Sequence, residues 1–363
     1  MTPGLAVDSL RQLELPPGLE QAWQDLAVAA EDPFASPGWA RAWAHVMPEQ
    51  SPHVLLCRRA DGQLAGALPL VTTRRRRLVS PGAGLADWTA PACHPEDAEE
   101  VGAALGAHLA RAGVPCAVGR VEPDADWWRA CVRAAHGGGA VALTDGDPEP
   151  MPVVALGRDE RGHLTALRGK QRREIARLRR RLEDAHDVRI ARVEGARESR
   201  ETMAALLALH QRAWGAEAGD DVQLAFLLEF AAEAQRAGWL RLWQVETGGR
   251  IVAVLYGLRL GARIFACVQA YDPALARFGV GTVLLRHAIE SAAEEGAAVF
   301  DMLRGAEFHK RRYETSRRTV VPVVLTPPLS AGAAEVRLRG VARDAWRRLP
   351  AERRTKLRRH LPV

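Results

Sequence analysis

The chain has 363 residues, more than a single hydrophobic core usually holds, so two domains are expected. Its 47% apolar content suits a globular protein, and no stretch approaches the ~18 apolar residues of a membrane span. Five scattered cysteines with no Cys-x-x-Cys pair argue against both a disulfide framework and a zinc site, and the net charge of +6 points to an anionic ligand.

In chain order, residues 19–46 carry helical patterning. SPGWARAWAHV starts on a Ser36 cap with Pro37 next. VLLCRRADGQLAGALPLV (54–71) reads as two strands joined by an Asp-Gly turn, and a helix follows over 95–112. DGDPEPMPVVALG (145–157), rich in proline and acid, reads as a linker. A long basic helix comes next, with Ile175, Leu178, Leu182 and Ala185 on one edge. WLRLWQVETGGRIVAVLYGLRL (239–260) repeats the hairpin design of the first half, DGQLAGALPL aligning with GGRIVAVLYG without a gap. Then come a strand, ARIFACVQAY (262–271), a glycine loop, a helix, a strand AAVFDML (297–303), a last strand TVVPVVL and a basic tail.

The helix after the glycine loop places Val283, Leu284, Ala288, Ile289 and Ala292 on one side, and Gly296 supplies its stop. Ahead of it stand Gly279 and Gly281, which let the chain turn and let a ligand approach the backbone. The unpaired first amides of a helix and its dipole make such a start a phosphate site. A Rossmann fingerprint would place a third glycine where Leu284 stands, and a Walker loop would need a lysine before Thr282. Basic residues cluster at 74–77, 168–181 and 337–359, surfaces suited to a polyanion such as tRNA. The N-terminus carries no hydrophobic signal core, so a cytoplasmic, reduced protein is expected.

YDPALARFGVGTVLL (271–285) resembles the coenzyme A loop of GNAT acyltransferases, with Pro273, Gly279 and Gly281 in register and Ala276 where that family usually carries Arg or Gln. Further stretches are DPFASPGWARAW, the first hairpin, GLADW, GKQRREIARLRRRLE and FDMLRGAEFHKRRYE. Together they resemble the tandem-domain GNAT proteins of the CelD (cellulose-biosynthesis-like) acetyltransferase type, relatives of the Fem-type aminoacyltransferases.

The resemblance implies an α/β fold with two GNAT-like domains in tandem, each a twisted mixed sheet flanked by helices. Residues 1–150 would form the acceptor side without a phosphate loop and 151–330 the domain with the acyl donor, with 331–363 a basic tail packing back on the first. It further implies an acyltransferase that moves an acyl group from acetyl-CoA or another acyl-CoA to an amine of a small molecule, with no metal. The pyrophosphate would sit on Gly279, Val280, Gly281 and Thr282, with Arg277 and Arg286 adding charge, and the pantetheine arm would pair with Val268, Gln269 and Ala270. Asp87 and Trp88 would line the acceptor cleft. Candidates for proton transfer and charge stabilisation are Lys310, Asp301 and Tyr313, with Glu307 and His309 beside them. An aminoacyl-tRNA-dependent transferase acting on a small metabolite or cell-wall precursor is the competing reading, favoured by the basic clusters and by Ala276. A non-catalytic nucleic-acid or scaffold protein on the same fold is the third.

Overall fold

The computed structural model describes residues 4–82, 84–158, 164–166, 169–214, 220–305 and 307–349. The strands of the first half are β1 (Ala6–Leu10), β2 (Ser51–Pro52), β3 (Val54–Arg58), β4 (Leu64–Leu68), β5 (Val71–Thr72), β6 (Leu78–Val79), β7 (Ala92–Cys93), β8 (Cys116–Val121) and β9 (Val141–Thr144). Those that follow are β10 (Glu149–Ala155), β11 (Val188–Arg192), β12 (Leu240–Thr247), β13 (Arg250–Leu260), β14 (Arg263–Tyr271), β15 (Val299–Asp301) and β16 (Ser316–Thr326). The helices are α1 (Pro17–Ala29), α2 (Pro37–Val46), α3 (Ala98–Ala112), α4 (Asp126–Gly137) and α5 (Gly169–Ala185). They continue with α6 (Ala196–Trp214), α7 (Asp220–Arg236), α8 (Val280–Glu294), α9 (Phe308–Arg311) and α10 (Ala331–Arg348).

Two sheets organise the molecule. A four-stranded sheet runs β1-β3-β4-β7, and a long mixed sheet runs β11-β12-β13-β14-β15-β10-β16-β8-β6-β5-β2, with β9 also on β16. This mixed α/β architecture is the class expected from the sequence. Both hairpins form, β3/β4 around Asp61-Gly62 and β12/β13 around Gly248-Gly249.

The stretch read as a linker is different: β10 lies inside the long sheet between β15 and β16. Two prolines are tolerated there for a geometric reason. On the side away from β16, the carbonyls of Pro150 and Pro152 accept from the amides of Gly305 and Met302, each at 3.0 Å. A ladder there asks for no proline N–H, because β15 itself pairs only with Val153–Ala155. β16 then changes partners midway. Ser316–Val320 pair with β10, and Val321–Leu325 pair with β8 of the first half. One strand therefore stitches the two halves into a single sheet.

Packing joins them as well. Trp39 of α2 meets Phe226 and Phe230 of α7 edge-on, at ring separations of 4.5 and 4.8 Å. Such pairs contribute about 0.5–1.5 kcal/mol each beyond area burial. Arg41 reaches Glu233 at 3.1 Å across the same contact. Ser36 caps α2 by accepting from the Trp39 amide at 3.1 Å, which sets the helix that carries this aromatic wall. In the second half α8 buries Val283, Leu284, Ala288, Ile289 and Ala292 on the sheet, the face anticipated from its spacing. No described helix is long and apolar enough to cross a membrane.

Candidate active site at the meeting of two clefts

The centre of the site is a gap in the sheet. β14 and β15 run parallel and pair over three positions only, Arg263↔Val299, Ile264↔Phe300 and Phe265↔Asp301. β15 then ends while β14 continues to Tyr271, so among the described residues that edge of Ala266–Tyr271 has no strand beside it. On the other edge the β13 register shifts between Tyr256 and Gly257, leaving Cys267 as the extra residue of a bulge. A bulge re-aims side chains, and this one sits where two clefts meet.

The first cleft opens onto the start of α8. It is lined by Val268, Gln269, Tyr271, Ala276, Gly279, Val280, Gly281 and Thr282, among others. Gly279 takes φ +70° as the residue before the helix, and the first internal bond of α8 runs from the Val283 amide to the Gly279 carbonyl at 3.0 Å. The amides of Val280, Gly281 and Thr282 precede that bond, which is the arrangement that receives an anion. Gln269 Nε2 donates to the Gly281 carbonyl at 2.7 Å, tying the free strand edge to the helix start. A Cβ on Gly281 would come within 2.9 Å of Gln269 Nε2 and 3.0 Å of the Tyr271 ring, so the passage is as narrow as glycine allows. α5 closes the other side: Leu178 lies over Gly279, with Ile175 and Leu182 buried beneath.

The second cleft lies between the halves. Its walls include Phe34, Trp39 and Asp87 from the first half, with Phe230, Tyr256 and Arg304 from the second. The two clefts share Ala266, Cys267, Val268, His210, Glu307 and Lys310. Arg304 latches the second cleft: it donates to Asp87 Oδ1 at 2.9 Å, to Glu149 Oε2 at 2.8 Å and to the Gly84 carbonyl at 3.1 Å. Burial raises the Asp87 carboxyl above its ordinary range, and Arg304 and Lys310 offset part of that. Lys310 Nζ donates to the Arg304 carbonyl and stands 3.3 Å from Glu307. Burial, with the charges of Asp87 and Asp301, drives the Cys267 thiol well above its usual range. It holds its proton and is not poised as a nucleophile.

The sequence-derived residues separate into groups. Val268, Gln269, Gly279, Val280, Gly281, Thr282, Asp87 and Lys310 line one or both clefts. Ala270 is buried in the core behind its strand. Arg277 projects over the Phe278 ring at 4.9 Å, so Ala276 faces the first cleft and Arg277 does not replace its missing charge there. Arg286 pairs with Glu290 along α8. Asp301 lines neither cleft. It is fully buried, accepts from the Leu303 amide at 2.9 Å, and pairs with Arg263 and Arg318. Tyr313 is fully buried in the core shared by α5 and α8, which places its hydroxyl away from both clefts. Trp88 faces away from its neighbour Asp87: its indole N–H donates to Asp32 at 2.8 Å, and Arg318 stacks over its ring at 4.8 Å. The backbone of His309 lies in α9. Neither His210 nor Arg304 is marked as a site residue by the sequence. Arg304 stands within FDMLRGAEFHKRRYE, and His210 sits in a plain amphipathic helix, where no spacing marks it.

No curated protein matches the chain in sequence. Residues 169–311 match the family described as Acetyltransferase (GNAT) domain. Among solved structures, the crystal structure of FemX superposes with a TM-score of 0.57 at 11% identity, covering 84% of this chain and 95% of that one. The C-terminal domain of a putative lysylphosphatidylglycerol synthetase from Agrobacterium fabrum gives 0.53 at 14%, covering 86% and 96%. L-PGS from Bacillus licheniformis gives 0.50 at 13%, covering 84% and 97%. At these identities the shared property is the fold. The match to an acetyltransferase domain over residues 169–311 makes the chain an acyltransferase.

Proposed function

We propose that the protein transfers an acyl group from acyl-CoA to the amine of a small molecule, with the donor in the first cleft and the acceptor in the second. The observation that carries this is the junction: both clefts open on Ala266–Val268, beside His210 and Lys310. In this reading the donor pyrophosphate rests on the amides of Val280–Thr282, and the pantetheine arm adds to the unpaired edge of β14 beyond Phe265. The thioester carbonyl then reaches the Cys267 bulge. A backbone amide there and the Lys310 ammonium are the groups to stabilise the oxyanion. His210, open to both clefts, takes the proton from the attacking amine; as the tetrahedral intermediate collapses the C–S bond breaks, and the departing coenzyme A thiolate takes up that proton. Asp301 and Tyr313 contribute by fixing β15 and the α5–α8 core. The finer assignment to the CelD type rests on the sequence resemblance alone.

A second reading has its own observation. α5, which covers the donor loop through Leu178, carries Arg172, Arg173, Arg177, Arg179, Arg180 and Arg181. That density of cations beside the donor cleft suits a carrier larger than coenzyme A, and aminoacyl-tRNA is the natural one.

Calorimetric titration of acetyl-CoA and free CoA into the wild-type protein and Gly281→Glu decides between them. The Gln269 amide and the Tyr271 ring must shift to admit the new side chain, so a thermal melt first establishes that the variant is folded; its carboxylate then occupies the anion position. Binding to wild type alone supports the coenzyme A reading. No binding to a folded wild-type protein sinks it, and charged tRNA at two salt concentrations is then the ligand to titrate.

A further inference from the structure

The three most exposed large apolar side chains among the described residues lie close together in sequence: Leu329 at 97%, Leu338 at 69% and Val341 at 67%. The last two belong to α10. This helix packs Gly332, Ala333 and Val336 against the body of the first half, with Gly332 on Pro115. On its opposite side Ala334, Leu338, Val341 and Ala345 recur at i, i+4, i+7 and i+11, and all four are exposed. The centre of the outward face is thus apolar, where a solvated helix would carry charge.

Its borders are basic. Arg337 and Arg348 flank the stripe on one side. On the other, Arg77 pairs with Glu335, which brings the exposed turn residues Arg74, Arg75 and Arg76 beside the helix. The acids of this region are already engaged. Glu335 holds Arg77 and Arg339, Asp145 holds Arg339, and Asp147 holds Arg343 and Arg347. Asp344 faces Arg347 at 3.5 Å. Arg74, Arg75, Arg76, Arg337 and Arg348 form no ion pair among the described residues.

We infer that this face docks on an anionic phospholipid surface, the apolar stripe of α10 entering the headgroup boundary and the flanking arginines holding the lipid phosphates. A stripe of that kind bordered by cations outside any direct ion pair, Arg337 donating to the Pro328 carbonyl at 3.0 Å, is the pattern of a helix lying in a membrane interface. Long arginine side chains can reach phosphate while their stems cover apolar surface. A second copy of the chain fits the same face poorly, since joining two of them would oppose their arginines with no spare acid to pair. Nucleic acid would use the arginines and leave the stripe in water.

The test is co-sedimentation of the full-length protein with vesicles of phosphatidylcholine alone, and with vesicles of equal parts phosphatidylcholine and phosphatidylglycerol. Wild type should partition onto the anionic vesicles only. Leu338→Glu/Val341→Glu and, separately, Arg74→Ser/Arg75→Ser/Arg76→Ser should each lose about tenfold or more of that partitioning. Both sets lie on the surface, so melting temperature and donor binding should stay at wild-type values. Equal partitioning onto neutral vesicles, no partitioning, or full retention in the double glutamate variant overturns the inference. A dimer in light scattering that the double glutamate variant dissolves assigns the face to a second copy instead. So does polyuridylate for nucleic acid, if the protein binds it and not the vesicles.

Discussion

His210 is reached from both clefts, which no other described histidine is. If it accepts the proton of the attacking amine, His210→Asn should lower turnover about 10²–10⁴-fold while leaving donor affinity within about twofold. Steady-state rates on an amine found by screening, paired with acetyl-CoA titration, measure both quantities. An equal loss of donor binding would instead make the residue part of the donor cleft. Asp32 offers a test of a different kind. It is buried, accepts from the Phe34 amide and the Trp88 indole, and burial pushes its carboxyl from 3.8 up to about 7. The native state then keeps a proton that the unfolded chain gives up above about pH 4. The stability tied to this proton is complete below pH 4 and is lost as pH climbs towards 7. Asp32→Asn forfeits the Trp88 bond, about 1 kcal/mol at every pH. Its melting temperature should therefore lie furthest below wild type in acid and gain on it as pH rises from 4 to 7. A gap that stays constant would show that Asp32 is ionised throughout.

At the scale of elements, the donor loop depends on how α5 meets α8. Gly279 combines φ +70° with Leu178 Cδ1 at 2.9 Å from where a Cβ would stand. Gly279→Ala should cost about 1–3 kcal/mol, part from the left-handed backbone and part from Leu178. Adding Leu178→Ala removes the contact and not the strain. In thermal melts the double variant should recover beyond what the two single losses sum to, and additive losses would show that the two residues do not meet. This junction also marks what could be read from the sequence. The glycine loop, the apolar face of α8, the α2 cap and both hairpins are local, written in residues a few positions apart. β10 is not. Its prolines and acids imitate a linker, and only β15 and β16, more than a hundred residues onward, make it a strand. α7 is hidden for another reason: flanked by α2 and by the core, it presents apolar residues on several sides and shows no single stripe. The site follows the same division. The glycine loop and Lys310 stand in recognisable stretches, whereas His210 and Arg304 acquire meaning from what the fold puts opposite them. Asp301 and Tyr313 share the sequence neighbourhood of the site and are turned into the core.

At the scale of the molecule, the two halves are not interchangeable modules on a tether. β8 and β9 each pair with β16, and Arg304 binds Asp87 and Glu149 across the same seam. A fragment of residues 1–150 would keep β8 and β9 and lose the strand between them. It is expected to lack the sharp thermal transition of the full chain, while the full chain melts in one step. Calorimetry on both decides, and a cooperative transition in the fragment would show that the first half closes its own sheet.

The position of β16 also bears on how the protein is made. Val121 leaves the ribosome about 200 residues before the end of β16, its pairing partner. At roughly 5–20 residues per second that is a wait of about 10–40 s, during which one edge of β8 stays unpaired. The half synthesised first cannot be the half finished first. During that interval a sheet edge is open to other chains, and the yield of active protein should depend on how slowly translation covers residues 122–326.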